Sequence, residues 1–96
     1  MIISFGDKAT DDIFNGIDSN AARSIPQVIW KTACRKLDMI NASKDLKDLR
    51  IPPANRLEKL KGKFAGFYSI RINDQYRIIF KWNQSNAEDV MIIDYH

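Results

Sequence analysis

The feature that most constrains the fold of this chain is the stretch 66–82, in which two runs of alternating apolar and polar residues flank an Asn-Asp turn signal. Strict alternation is typical of β-strands with one buried face, so the stretch predicts a β-hairpin. Opposed residues of an antiparallel pair share a face, and a two-residue loop would set Ile70 opposite Arg77, mixing core with surface. A three-residue loop at residues 73–75 instead gives one consistent apolar face, made of Tyr68, Ile70, Ile72, Tyr76, Ile78, Phe80 and Trp82.

The same register makes Arg71 and Arg77 direct neighbours on the other face of the hairpin. Like charges that face each other across a strand pair are destabilising unless something negative lies between them, so this face is a candidate anion site. The alternative interpretation is that both long side chains splay into solvent, as most surface charges do. The hairpin alone leaves both interpretations open.

The net charge of +3 is unevenly distributed along the chain. Between residues 50 and 81 there are eight basic residues against Glu58 and Asp74, which gives this segment a net charge of +6. A basic segment between two acidic ends indicates a polyanionic partner such as nucleic acid. The alternative is that the lysines serve only to keep the surface soluble.

Length and composition predict a single domain, residues 1–96, located in the cytoplasm. A chain of 96 residues with 45% apolar and 28% charged side chains is typical of one globular domain with a modest core. No apolar run approaches the roughly 18 residues needed to span a bilayer, and residues 1–5 lack the features of a secretion signal. The single cysteine, Cys34, cannot form an internal disulfide, which fits a reducing compartment.

Helices are predicted in the first half of the chain. Residues 24–27 have the form of a capping box, with Ser24 as the N-cap, and predict the start of a long helix that runs to Asn41. Its apolar stripe includes Val28, and Lys36 is expected on the polar side.

Strands are predicted mainly in the second half, where residues 56–61 indicate a bent edge strand and residues 87–94 the last strand, after a short first strand at residues 2–5. This order indicates an α+β fold in which helices pack on one side of a largely antiparallel sheet. The face that carries Arg71 and Arg77 is then expected to be the open one.

The side chains exclude several kinds of site. Structural zinc needs several Cys or His ligands, whereas the sequence has one of each, so no metal or cofactor is expected. There is no glycine loop for phosphates, no serine and histidine at a recognisable spacing, and no clustered pair of carboxylates. What remains is metal-free cleavage of RNA by its own 2′-hydroxyl, which needs a base, cations that stabilise the phosphorane, and an acid.

Candidates for these roles occur in the basic segment and at the end of the sequence. Histidine is the side-chain type that titrates near neutral pH, and the one histidine follows a predicted buried strand. A histidine at the last position is usually a frayed end without a role, and this alternative stays open. The candidates are Arg71 and Arg77, Lys59 or Lys61, and the final residues Asp94, Tyr95 and His96.

Four stretches of this sequence resemble the HigB family of the RelE-like superfamily of bacterial toxins. They are residues 48–58, the Leu-Lys-Gly at 60–62, the hairpin at 68–78, and the ending 94–96. The resemblance covers essentially the whole chain. It implies a compact RelE-like fold, cleavage of messenger RNA in the ribosomal A site, and inhibition by a HigA-type helix-turn-helix antitoxin. Operator DNA is then contacted only through the antitoxin.

The resemblance also assigns roles to residues. The arginine of the family's sheet matches Arg77, its lysine before glycine matches Lys61, and its terminal residues match Asp94, Tyr95 and His96. Around these catalytic candidates, the cations expected to bind RNA are Arg56, Lys59, Arg71 and Lys81.

One departure from the family concerns the base. Some HigB proteins carry a second histidine just before the matched lysine, whereas this chain reads Arg-Leu-Glu-Lys at residues 56–59. Either Glu58 or a lysine replaces that base, or His96 and Tyr95 carry more of the proton transfer. The competing hypothesis is a RelE-like binding module that holds its antitoxin and nucleic acid without cleaving anything.

Overall fold

The structure, a computed structural model, describes residues 1–95 as helices packed on one sheet. Within these residues the α-helices are α1 (Lys8–Phe14) and α2 (Trp30–Ala42). The strands are β1 (Glu58–Lys59), β2 (Tyr68–Arg71), β3 (Tyr76–Asn83) and β4 (Asn86–Asp94). Short 3-10 turns lie at Ala22–Ser24, Gln27–Ile29, Leu46–Arg50, Pro53–Asn55 and Gly62–Phe64. The predicted α+β class is confirmed.

The hairpin has the register that the alternation predicts. Ile70 lies opposite Ile78 and Arg71 lies opposite Arg77 in the antiparallel pair of β2 and β3. The loop is fixed by Asn73, whose Oδ1 accepts hydrogen bonds from the backbone N–H groups of Gln75 at 2.9 Å and Tyr76 at 2.7 Å. An asparagine that bonds its own turn is a common way to hold a tight loop.

The sheet order is β1-β2-β3-β4, with every neighbouring pair antiparallel. The predicted first strand makes only two bridges, both parallel to β4, at Ile2 with Ala87 and at Phe5 with Val90. The buried hydroxyl oxygen of Thr10 in α1 accepts the backbone N–H of Ile92 at 2.9 Å. Helix α1 is thereby tied to the last strand.

The core lies between the helices and the apolar face of the sheet. Leu37 and Ile40 of α2 are fully buried against the strands, together with Ile70, Ile78 and Phe80. Within residues 1–95, no helix combines the length and apolarity needed to cross a bilayer.

The predicted start of the long helix is wrong. Pro26 has an extended backbone (ψ 128°), a 3-10 turn follows it, and the α-helical part begins only at Trp30. The hydroxyl of Ser24 donates to the carbonyl of Ala21 and does not cap α2. Because the helix phase before Trp30 differs from the predicted one, Val28 is 88% exposed and not part of the apolar stripe.

The position predicted for Lys36 is also wrong. Its side chain is buried, and Nζ donates to Oδ1 of Asn55, which is itself fully buried. Asn55 in turn donates from Nδ2 to the carbonyl of Leu49 at 3.1 Å. Burial lowers the pKa of Lys36 from its ordinary value, with a smaller contribution from the nearby charge of Arg35.

The arginine-bearing face of the sheet is less open than predicted. Ser69 and Ile79 on this face are fully buried, and Leu60, whose N–H donates to the carbonyl of Phe67, is 6% exposed. Neither Leu60 nor Ile79 belongs to the core under the helices. A second, smaller apolar layer therefore lies on this face, and the arginines stand at its border.

Candidate functional site

Arg77 is the centre of the candidate site. Its Nη1 donates to Oγ of Ser69 at 3.2 Å and lies 3.6 Å from Oε2 of Glu58. Its Cζ lies 4.9 Å from the centroid of the Tyr95 ring. The side chain is only 15% exposed, so the guanidinium is held from three directions. A planar guanidinium with fixed orientation is suited to binding a phosphate.

Strand register explains why these groups meet. Glu58 of β1 pairs with Ser69 of β2, and Ser69 pairs with Ile79 of β3, so their side chains share the face of Arg77. Burial of Ser69 keeps its hydroxyl away from water, and in the described residues its oxygen accepts from the arginine. The serine therefore fixes one end of the guanidinium.

The end of the chain is attached to the hairpin loop. The backbone N–H of Tyr95 donates to the carbonyl of Gln75 at 2.7 Å, and Nε2 of Gln75 donates to Oδ2 of Asp94 at 3.0 Å. In the sheet, Asp94 pairs with Tyr76, next to Arg77. Of the predicted catalytic residues, Tyr95 is thus brought to Arg77, whereas Asp94 is held at the hairpin loop through Gln75. The third residue of the ending, His96, lies outside the described residues.

The opposed arginines are each compensated by a carboxylate. Nη2 of Arg71 contacts Oδ1 of Asp74 in the hairpin loop, and Arg77 has Glu58 beside it. The side chain of Arg71 is 28% exposed, whereas Asp74 is 96% exposed. Repulsion between the arginines is therefore reduced without a bound anion, and neither guanidinium simply splays into solvent.

The other predicted cations are distributed around this centre. Nζ of Lys81 lies 3.5 Å from Oδ2 of Asp89 and 5.2 Å from the centroid of the Phe67 ring. Lys59 pairs with Tyr68, which places it on the opposite face of the sheet from Arg77. Lys61 and Arg56 are exposed, and within residues 1–95 neither of them forms an ion pair with a carboxylate.

The residues that sequence reasoning missed are Ser69 and Gln75. The predicted register already placed Ser69 in line with the arginines, so the signal existed for its contact with Arg77. Gln75 had no such signal, because its bond to Asp94 depends on where the last strand ends.

The sequence is similar to known bacterial toxins. The chain matches the family model described as RelE-like toxin of type II toxin-antitoxin system HigB over residues 3–96. It is 43% identical over 82 residues to Toxin HigB-1 of Vibrio cholerae, covering 85% of this chain and 84% of that protein. The chain belongs to the HigB-like family of RelE-like toxins. This HigB-like toxin is also 49% identical over 72 residues to an uncharacterized protein of Haemophilus influenzae, covering 75% of the chain and 70% of that protein.

Solved structures agree with the RelE-like fold. The YoeB-YefM complex from Staphylococcus aureus contains a chain that matches with a TM-score of 0.60 at 17% identity, covering 100% of this chain and 98% of that one. YafQ from E. coli matches with a TM-score of 0.57 at 15% identity, covering 98% of this chain and 91% of that one. At such identities the likeness concerns the fold. The HigB-like toxin is therefore a toxin of a type II toxin–antitoxin system by family, with a RelE-like fold.

Proposed function

We propose that this toxin is a ribosome-dependent endoribonuclease that cleaves translated messenger RNA in the ribosomal A site and thereby inhibits growth. The reaction as proposed takes place in the cytoplasm and assigns every role to side chains, so it calls for no metal or cofactor. Membership of the HigB-like family supports the proposal. The observation that carries it is the fixed guanidinium of Arg77 between Ser69, Glu58 and Tyr95.

In the proposed reaction, the 2′-oxygen of one nucleotide attacks the adjacent phosphorus, and the bond from phosphorus to the 5′-oxygen of the next nucleotide breaks. The products are a 2′,3′-cyclic phosphate and a 5′-hydroxyl. Negative charge increases on the non-bridging oxygens in the transition state, where a preorganised cation is most effective. Arg77 supplies that cation, and the ring of Tyr95 keeps it oriented.

Two protons must move in this reaction, one from the 2′-hydroxyl and one to the leaving 5′-oxygen. Glu58 suits the role of base, since it is half-exposed and its carboxylate lies 3.6 Å from the arginine that binds the phosphate. Lys61 and His96 are the further candidates for base and acid, while Asp94 orients the end of the chain through Gln75. Arg56, Lys59, Arg71 and Lys81 would contact the RNA backbone.

The proposed partners follow from the family. A HigA-type helix-turn-helix antitoxin binds and inhibits the toxin, and operator DNA is bound only through that antitoxin. A chain of the same fold was solved in the YoeB-YefM toxin-antitoxin complex, which supports direct binding of an antitoxin. The ribosome and its translated message are the targets.

Cleavage of one defined message, assayed with and without translating ribosomes, tests the proposal. The enzyme should cut only the translated message, within the codon in the A site. A protein that binds the ribosome or the antitoxin but leaves the message intact would instead be a RelE-like binding module. Cleavage of free RNA at the same rate would contradict dependence on the ribosome.

A further inference from the structure

A cleft of about 370 Å³ lies beside edge strand β1, and its chemistry is not used by the Arg77 site. Lys59 of β1 and its partner Tyr68 of β2 both line it, on the opposite face of the sheet from Arg77. The 3-10 turn Leu46–Arg50 contributes Lys47 and Arg50. Three cations from two separate elements therefore surround one cleft.

These cations form no close ion pairs. Within residues 1–95, none of Lys47, Arg50 and Lys59 has a carboxylate oxygen within ion-pair distance. Asp48 accepts the N–H of Asp45 at 3.1 Å in a capping box, and these backbone bonds, with smaller contributions from the charges of Lys47 and Lys44, lower its pKa. Asp48 therefore compensates Lys47 in part, whereas Arg50 and Lys59 leave positive charge in a concave site, which favours an anionic occupant.

The acid that lines the cleft, Glu58, is directed elsewhere. Its carboxylate lies 3.6 Å from Nη1 of Arg77 on the other face of the sheet. Glu58 thus borders both the cleft and the candidate active site. Because β1 is the edge strand and only two residues long, a single short strand separates the two.

Tyr68 adds a fixed aromatic surface to the cleft. Its ring packs against that of buried Phe80, with centroids 6.3 Å apart and planes at 28°. Cations beside an immobilised aromatic ring are the combination that binds single-stranded nucleic acid, since the phosphate meets the charges and the base meets the ring. An acidic peptide would also pair with the cations. RNA is favoured because the cleft adjoins the Arg77 site, where the proposed substrate is bound.

We propose that this cleft binds a nucleotide of the same RNA strand whose scissile phosphate lies at Arg77. The strand passes over β1, with a flanking phosphate on Lys47, Arg50 and Lys59 and its base against Tyr68. This inference rests on the proposed function for the identity of the ligand. The cleft is a binding subsite and takes no part in proton transfer.

Fluorescence anisotropy with labelled single-stranded RNA tests the subsite on the isolated chain of residues 1–96. The probe is an uncleavable 12-nucleotide RNA, 2′-O-methylated throughout. The test variant is Lys47→Ala/Arg50→Ala. The control variant is Lys31→Ala/Arg35→Ala, which removes the same charges from exposed positions of α2. Circular dichroism checks folding of both.

We expect the test variant to bind the RNA about tenfold more weakly than the control variant. The slope of log affinity against log salt should also be less steep by about 0.7, the contribution of one lost phosphate contact on a single strand.

Equal losses of RNA affinity in the two variants would show that only the net charge of the protein matters, and would overturn the subsite. An unchanged RNA affinity of the test variant would also overturn it. Normal RNA binding with impaired ribosome binding would assign the cleft to ribosomal RNA. Normal RNA binding with impaired antitoxin binding would assign it to a protein. Either result overturns the proposal. Variant-dependent RNA binding by a chain that cleaves no message would support the subsite and refute only the proposed function.

Discussion

The guanidinium of Arg77 lies over the ring of Tyr95, with Cζ 4.9 Å from the ring centroid. The ring is in place because the backbone N–H of Tyr95 donates to Gln75 in the hairpin loop. The end of the chain and the hairpin are therefore one structural unit. A cation over an aromatic face gains about 0.5–2 kcal/mol, which is enough to fix the orientation of an arginine but not to create a site alone.

The ring of Tyr95, rather than its hydroxyl, is expected to matter most. Tyr95→Phe keeps the surface under Arg77 and should lower the cleavage rate less than Tyr95→Ala, which should lower it about tenfold through loss of the cation–π contact. Single-turnover cleavage on translating ribosomes measures both. If the two variants cleave equally slowly, the loss of rate comes from the hydroxyl, and the ring does not have the orienting role proposed for it.

Arg71→Ala should change the free energy of unfolding by less than about 0.5 kcal/mol. The variant removes the repulsion with Arg77, but it also removes a contact with the highly exposed Asp74, and such surface pairs contribute little. The like-charge pair considered without Asp74 would instead predict a small gain in stability. Urea unfolding measures the change. A loss of unfolding free energy above about 1 kcal/mol would show that Arg71 has a structural role that the pair with Asp74 does not explain.

The site was partly predictable because β-strand alternation has a period of two. One consistent apolar face fixed the loop length, and the loop length placed Arg71 opposite Arg77 and Ser69 on their face. The hairpin pattern could not show that Leu60 and Ile79 form a second apolar layer. That layer depends on edge strand β1, whose two residues leave no alternation to detect.

The helical half was less predictable, because its decisive contacts are distant in sequence. The capping box forms at Asp45 and Asp48, two aspartates, and not at Ser24, where Pro26 is extended. Lys36 is buried because Asn55, far along the chain, supplies an acceptor. A lysine on a helix is ordinarily solvated, so neither helical spacing nor composition indicates such a pair.

Lys36 should make the free energy of unfolding depend on pH in the alkaline range. Its pKa is lowered in the folded protein, so the folded state binds that proton less tightly than the unfolded state. Stability therefore rises as the pH increases from the lowered pKa through the unfolded value of 10.5, and the penalty for the buried charge is fully present at lower pH.

The measurement for Lys36 is urea unfolding at about pH 8 and about pH 10, covering part of that window. Lys36→Met should remove part of the change in unfolding free energy between the two pH values. Lys31→Met, an exposed lysine of the same helix, should retain the change in full. Identical pH dependence in all three proteins would show that the Lys36 proton is not linked to folding.

Deletion of His96 tests the least ordinary of the expected catalytic roles. The deletion leaves strand β4 and the contact of Tyr95 with Arg77 intact, so folding and antitoxin binding should survive. Cleavage on the ribosome should fall by roughly 10² to 10⁴, the usual size of an acid–base contribution. An unchanged rate would mean that Lys61, Glu58 and Arg77 act without a histidine.

In the proposed reaction, the fixed guanidinium of Arg77 stabilises the transition state of RNA cleavage. The direct test of this role is single-turnover cleavage of a translated message by Arg77→Ala, with Arg35→Ala as a control that removes an exposed arginine elsewhere. Arg77→Ala should stay folded and cleave roughly 10² to 10³ times more slowly, the usual effect of removing one preorganised donor, whereas the control should be unchanged. A folded Arg77→Ala protein that cleaves the message at the parent rate would contradict this role of the guanidinium.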